Sequence, residues 1–369
     1  MIKKLKKLTI QMMMGSNVFT IILMLLTGYS DHLHPAQHPL LSTTGMAFPL
    51  FLLANMAFLV FWLLFKWTKA WIPVVGFLLA YVPIRIYIPF HPSQTVPDQA
   101  IKLVSYNVCG YPQNNEGKQN GLEDIINYLS DSKADIICIQ EDNDTWRKNI
   151  FDNYHKRGYI YNDTLVLSNS ELSFNCLGIH TRYPIIRRER INYSTTVNNG
   201  SCAWWLKVGN DTVIVINNHF ESCHLSEKDR AQYRQMIRGE MDRDSVRTES
   251  KLLMVKLAEA NAKRSLQIDC VCEYVRQYID HYPIIVCGDF NDNPLSYSHH
   301  AMSQLLTDCF GTTGKGIGLS YNQKAFSFRI DHIFCSPNIQ PYNTQIDTKI
   351  DVSDHYPIVC WLKIDRKPI

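Results

Sequence analysis

Apolar residues follow two regimes along the chain. Up to about residue 90 they form long runs almost free of charge; beyond residue 100 they come in short bursts that end in polar or turn-forming residues. The run 46–65 contains no charged residue, and a helix of that length matches a bilayer hydrocarbon core about 30 Å thick. Two further runs, 8–29 and 70–90, make about three transmembrane helices within a region spanning 1–90. The first is diluted by Gln11, Ser16 and Asn17 and preceded by Lys3, Lys4, Lys6 and Lys7. That arrangement also fits a secretory signal peptide, but no small-residue cleavage site follows cleanly at Leu26-Thr27-Gly28-Tyr29-Ser30, which favours a retained helix. The third run carries Pro73, Pro83 and Arg85. Membrane helices tolerate proline where neighbours re-satisfy the backbone.

Beyond a linker at 91–99, residues 100–369 read as one catalytic-size domain. Residues 101–108 alternate as a strand, 123–129 carry apolar residues at helical spacing, and 134–141 form a buried strand that ends in a carboxylate. Short strands follow at 164–167, 176–180, 202–208 and 212–219. Residues 224–281 are charged and helix-forming, with Leu252, Val255, Leu257, Leu266, Val271, Tyr274, Val275 and Tyr278 spaced for one or two amphipathic helices. These pack on a sheet face, with a mobile lid over 226–250 as the alternative. Many strands with few strict strand–helix–strand alternations predict two sheets packed face to face with helices outside.

Charge and cysteine content refine the picture. Of 37 Lys/Arg and 34 Asp/Glu, only seven and two fall in the first 99 residues, so the remainder is slightly acidic. That balance counts against a domain held to DNA by its phosphates. Lys66 and Lys69 lie between the second and third runs, whereas the loop 30–44 has neither Lys nor Arg. The positive-inside rule then keeps both basic segments in the cytoplasm and puts the catalytic domain on the outer side of the plasma membrane. Cysteine points the other way. All eleven lie beyond residue 100, several of them (Cys138, Cys287, Cys360) inside apolar bursts, as in a reducing compartment. The lysine asymmetry weighs more, because buried thiols persist unpaired. Segment 31–38 carries His32, His34 and His38 and reads as an ordinary solvated loop rather than a metal site.

Candidate chemistry sits where apolar bursts end. Residues 283–291 run Pro-Ile-Ile-Val-Cys-Gly-Asp-Phe-Asn, and strand alternation sends Asp289 and Asn291 to one side. The triplet is equally a plain turn. It gains weight from Asn107, Glu141, His219, Asp331, Asp354 and His355, each at or inside another predicted strand. Burying so many ionisable groups is costly unless they pair or hold a metal. Carboxylate and amide oxygens suit a hard cation such as Mg²⁺ or Mn²⁺, and Cys/His spacing of the structural zinc type is missing.

The ordered blocks Ser105-Tyr106-Asn107, Ile139-Gln140-Glu141, Asn217-Asn218-His219, Gly288-Asp289-Phe290-Asn291, Ile330-Asp331-His332 and Ser353-Asp354-His355 resemble the endonuclease/exonuclease/phosphatase (DNase I-like) superfamily. The resemblance implies a four-layer α/β/β/α sandwich with its site at one rim. It implies Glu141 as principal metal ligand, Asn107 in or beside the metal shell, and Asp354 near the metal. Asp289 would orient or deprotonate the attacking water and Asn291 hold phosphoryl oxygens. His355 would act at the phosphate with Asp331 fixing its ring, and His219 would contact the phosphate or assist the leaving oxygen. Such residues match what phosphoryl transfer needs: a cation on developing charge, an in-line oxygen and positioned donors. In the block His180-Thr181-Arg182-Tyr183-Pro184-Ile185 the family usually has Ser where His180 stands; His180 reads as packing, and Arg182 as a substrate contact. The membrane tether favours a lipid-borne phosphate or pyrophosphate at the bilayer, with DNA or RNA as the less favoured substrate and an inactive binding module as a minor alternative.

Overall fold

A computed structural model describes residues 2–112, 121–167, 175–193, 199–223, 225–323 and 326–365. The N-terminal runs form helices α1 (Ile2–Gly28), the single-turn α2 (Pro39–Ser42), α3 (Phe48–Phe65), α4 (Trp71–Leu79) and α5 (Tyr81–Tyr87). Helices α1 and α3 are long and apolar enough to cross a bilayer. The run expected as a third helix is instead bent by 64° between α4 and α5. Pro83 accounts for this: it has no N–H to give the carbonyl of Leu79 one turn back, and its ring crowds that oxygen. The Tyr29 hydroxyl donates to the orphaned carbonyl at 2.9 Å.

Of the polar residues that dilute the first run, Asn17 turns inward, whereas Gln11 and Ser16 stay exposed. Asn17 donates to Asn55 and accepts from the Trp62 indole, both at 3.0 Å, while Asn55 donates to the Pro73 carbonyl at 3.0 Å. All three side chains are fully buried. Between apolar helices each such bond contributes about 0.6–2 kcal/mol.

The rest of the chain runs β1 (Ile101–Asn107), α6 (Gly121–Asp131), β2 (Ile136–Asp142), α7 (Arg147–Lys156), β3 (Tyr161–Val166), β4 (Cys176–Thr181), β5 (Ile185–Ile191), β6 (Gly200–Val208) and β7 (Asp211–His219). There follow α8 (Glu227–Arg238), α9 (Arg243–Tyr278), β8 (Ile284–Asp289), α10 (Tyr297–Ser303), β9 (Thr307–Asp308) and α11 (Cys309–Thr313). The last elements are β10 (Tyr321–Gln323), β11 (Phe326–Phe328), β12 (Asp331–Cys335), β13 (Ile339–Ile346) and β14 (Ile358–Ile364). One sheet has the order β13-β14-β1-β2-β4-β3 and the other β5-β6-β7-β8-β12-β9. Only β1–β2 and β7–β8 pair in parallel among the described residues.

Between the sheets lie Leu103, Cys138, Leu177, Trp204, Val215, Cys287, Ile333 and Cys360. Helix α9 lays Ile268, Val271 and Val275 on the outer face of the second sheet. Helices α6 and α7 cover the first with Ile125, Leu129, Ile150 and Tyr154. The result is the expected four-layer α/β/β/α sandwich. Eight of the eleven free cysteines are buried, and burial pushes thiols such as Cys138 well above their ordinary pKa. They pack as small inert hydrophobes, so their unpaired state says little about compartment.

One local expectation changes. Ser353 and Asp354 lie in a bend ahead of β14 and His355 makes only an isolated bridge to Tyr321, because Pro357 cannot donate to a ladder and the strand itself starts at Ile358. The charged strand β5, with Arg187, Arg188, Glu189 and Arg190, occupies a sheet edge where outward charge deters further pairing.

The helical region is docked on the sandwich and not merely tethered to it. Leu295, from the loop after β8, inserts among Met24, Phe48 and Ala80. Arg329 donates to the carbonyls of Ile86 (2.6 Å) and Ile317 (2.7 Å). The expected linker is held too, since Gln94 and Asn343 exchange two hydrogen bonds.

Candidate active site

The two parallel strand pairs end at a common rim. In the first sheet Asn107 closes β1 and Glu141 lies near the end of β2; in the second His219 closes β7 and Asp289 closes β8. Antiparallel β12 begins with Asp331 directly opposite Asp289. The 353–355 bend joins them through Ser353, whose hydroxyl donates to the Asn107 carbonyl at 2.7 Å. The two sheets are bolted just below the rim. Gln140 donates to Asn217 at 2.6 Å, and Asn217 donates back to the carbonyls of Ile139 (2.9 Å) and Gly178 (3.2 Å).

At the rim Asn107 donates to Glu141 (3.1 Å) and, across the sheets, to Asp289 (3.0 Å). Its carbonyl oxygen accepts the Cys109 N–H at 3.0 Å. In this arrangement the side-chain amide nitrogen of Asn107 faces the two carboxylates and its amide oxygen faces the backbone. His219 Nε2 stands 3.6 Å from Glu141 and 3.9 Å from Asp289. His355 Nδ1 lies 2.9 Å from Asp331 and its Nε2 3.6 Å from Asp289. Asp289 and Asn291 share the site, but not through strand alternation. Asn291 adopts a left-handed φ of 50°, its N–H donates to Asp289 at 2.7 Å and its side chain to the Phe220 carbonyl at 2.9 Å. The triplet is both a turn and part of the site.

Burial alone would lower the His355 pKa, but the carboxylates of Asp331 and Asp289 outweigh it and push it up to about 10. Burial raises Asp289, which His355 partly offsets. A raised histidine pKa adds stability that is complete below the unfolded value of 6.5 and lost as pH climbs toward about 10. In EDTA-treated protein, the melting-temperature gap between wild type and His355→Gln is expected to shrink across that window. A gap that ignores pH would mean the ring is neutral throughout.

A cleft of about 270 Å³ opens on these groups, lined by Glu141, Asp289, Asn291, Asp354 and His355. Side chains not foreseen from sequence complete it. Buried Arg264 of α9 faces Asp292 at 3.4 Å and donates to the Glu221 carbonyl at 2.7 Å, and Arg230 of α8 reaches the mouth. Tyr321 stands edge-on to His355, centroids 5.0 Å apart. The lining also includes the apolar side chains of Met46, Leu225, Leu253, Leu257 and Phe328. A signal for Arg264 does exist in the sequence, since Leu257, Asn261, Arg264, Ile268, Val271 and Val275 trace one buried helical stripe and a charge on such a stripe needs a reason.

Arg182 is not brought to the cluster. It follows Thr181, which pairs with Ile136 at the start of β2, so it sits at the opposite end of the sheet from Glu141. There it lies over the Tyr159 ring at 5.4 Å. His180 is core: it stacks on Tyr154 and its Nδ1 meets Asn162 at 2.7 Å.

A model of the endonuclease/exonuclease/phosphatase family matches residues 104–355, a span that takes in every rim residue. The chain belongs to the endonuclease/exonuclease/phosphatase family. Its members are metal-dependent phosphoester hydrolases, and this chain is one of them by family. A second model, for a domain of unknown function (DUF8431), matches residues 10–87. No curated protein matches in sequence. Among solved structures, humanized D. rerio TDP2 superposes with a TM-score of 0.53 at 16% identity, over 72% of this chain and 100% of that one. The human nocturnin catalytic domain with bound sulfate gives 0.51 at 15%, over 73% and 96%. An endonuclease/exonuclease/phosphatase protein from Bacteroides vulgatus gives 0.51 at 14%, over 72% and 99%. At such identities the likeness speaks for the fold.

Five carboxylates, those of Glu141, Asp289, Asp292, Asp331 and Asp354, surround the cleft or its rim, and the cationic groups beside them include His355, Arg230 and Arg264. Asp289, Asp331 and His355 place ligand atoms within 4.8 Å of one another. An oxygen-rich, acid-heavy set of this kind fits a hard divalent cation.

Proposed function

We propose that this protein is a membrane-anchored, Mg²⁺- or Mn²⁺-dependent phosphoesterase that hydrolyses a lipid-borne phosphate. The observation that carries the reading is the mixed lining of the cleft. Carboxylate, imidazole and guanidinium groups share it with Met46, Leu225, Leu253, Leu257 and Phe328. Met46 comes from the α1–α3 connection, so the segment that would emerge from the bilayer forms part of the substrate wall. Leu252 and Val255, beside the lining residues of α9, are exposed, and α8 adds Lys228, Arg230, Arg234 and Arg238. Apolar contact beside basic charge is what an anionic headgroup surface rewards.

In this reading Glu141, with Asp354, holds the cation, which when bound would neutralise developing charge on the phosphoryl oxygens. Asn107 keeps Glu141 and Asp289 in register. Asp289 takes the proton of the attacking water, Asn291 holds a phosphoryl oxygen, and His355, kept protonated by Asp331, donates to the phosphate. His219 assists the leaving oxygen. Residues 1–90 form the anchor, 91–99 the connection and 100–369 the catalytic domain. The lysines of both helix ends lie away from the sandwich, because Gly28 of α1 and Phe48 of α3 are the ends that pack toward it. With the positive-inside rule that favours a catalytic domain outside the cytoplasm.

The test is a substrate panel with the full chain in detergent. Release of phosphate or headgroup from a lipid phosphoester, abolished by EDTA, is expected, with little cutting of plasmid DNA. Intact cells given an impermeant short-chain analogue read the side in the same assay. Brisk DNA cleavage without lipid turnover would transfer the function to a nuclease.

A further inference from the structure

The loop after α1, which the sequence presents as an ordinary solvated one, packs on α9 and α10. His34 is complete there. Its Nδ1 accepts the Ala36 N–H at 3.1 Å, so its Nε2–H donates to Asp269 at 3.0 Å, and Tyr297 donates to the other oxygen at 2.8 Å.

Asp31 is not. It is 3% exposed, and among the described residues its carboxylate meets only imidazoles: His32 Nδ1 at 2.7 Å and His300 Nδ1 at 3.3 Å. The two rings stand 4.3 Å apart, centroid to centroid. No Lys or Arg among the described residues comes within ion-pair distance of it. Buried charges are paired or ligate metals, and the only side chains that meet this one are two imidazoles, themselves common metal ligands.

We propose that Asp31, His32 and His300 form a site for a borderline divalent cation of the Zn²⁺ class, which clasps the end of the N-terminal helical region to the catalytic sandwich. The three candidate donor atoms lie within 4.8 Å of one another, close enough to share one ion. Two imidazoles and a carboxylate select Zn²⁺ over Mg²⁺, in contrast to the oxygen-rich rim. The fourth position is left to water, and exposed His32 gives the ion a way in. Gln304 stands ready as an outer partner, its amide nitrogen 3.5 Å from His300 Nε2. Turned over, the amide offers its oxygen to the Nε2–H that His300 must carry once Nδ1 binds a metal. The clasp also has a path to the cleft, since Ser298 on α10 donates to Asp292 at 2.9 Å and Asp292 lines the cleft.

The experiment titrates the full chain, in detergent and millimolar Mg²⁺ to fill the catalytic rim, with Co²⁺ as a visible stand-in for Zn²⁺. One equivalent should develop the bands of four-coordinate Co²⁺, Zn²⁺ should bleach them, and Zn²⁺ should raise the melting temperature. His32→Ala removes the nearest partner of buried Asp31, so each variant is compared with itself with and without Zn²⁺: the bands and the Zn²⁺-dependent rise should both vanish, whatever its metal-free melting temperature. His300→Ala should lose both as well. Bands and rise that survive in His32→Ala, or a wild-type protein that shows neither, would overturn the site.

Discussion

Glu141→Gln is expected to lower Mg²⁺-dependent turnover of bis-p-nitrophenyl phosphate by about a thousandfold or more while leaving the melting temperature where it was. The two outcomes have one structural cause. Glu141 has a φ of 54°, a conformation that costs a non-glycine residue about 1–3 kcal/mol. The β2–β4 register slips between Gln140 and Asp142, so Glu141 is the extra residue of a bulge, and bulges re-aim side chains. Its neighbour holds the bulge in place. Buried Asp142 accepts from the Tyr111 hydroxyl (2.9 Å), the Asn143 N–H (2.9 Å) and the Thr164 hydroxyl (3.2 Å). Gln keeps the shape of Glu and can still accept from Asn107, so the fold loses little, whereas a neutral amide no longer draws a divalent cation. Turnover within tenfold of wild type would remove Glu141 from the machinery.

Much of this was legible in the sequence because strand ends and apolar bursts are local signals. The parallel pairs β1–β2 and β7–β8 bring four bursts to one rim, so acids and amides at burst ends had to converge. What was not legible depended on partners far along the chain. Asn17 reads as a blemish on an apolar run until Asn55 and Trp62 close around it. Pro83 announces a helix problem, but not that Tyr29 would cap the freed carbonyl. Asn107 is an amide at the right place whose orientation is set by a backbone N–H two residues on. Arg182 looked like a substrate contact because a cation near a Pro-Ile block has no face until strand register assigns one. Arg264 could have been found, since it interrupts an apolar stripe. Met46 could not, because nothing local ties a loop between apolar runs to a cleft built from later residues.

Gly288→Ala should be severely damaging, costing more than about 4 kcal/mol or preventing recovery of folded protein. Gly288 has a φ of 129°, and a Cβ there would stand 2.1 Å from the Asn218 carbonyl oxygen and 2.7 Å from its nitrogen. Those are backbone atoms of the paired strand, opposite Gly288 in the β7–β8 register, and they have little room to yield. The Asn218 side chain is itself tied, donating to the Cys287 carbonyl at 2.8 Å and accepting from Ser201. Relief would require β7 and β8 to part, and they carry His219 and Asp289 at their ends. Gly239 supplies the control: its φ is 69° but nothing lies within 4 Å of a Cβ placed there, so Gly239→Ala should cost only about 1–2 kcal/mol for the left-handed backbone. Urea unfolding of both variants separates the terms. If Gly288→Ala is no less stable than Gly239→Ala, the close approach of the two strands beneath the catalytic rim is not what fixes the spacing of its acids.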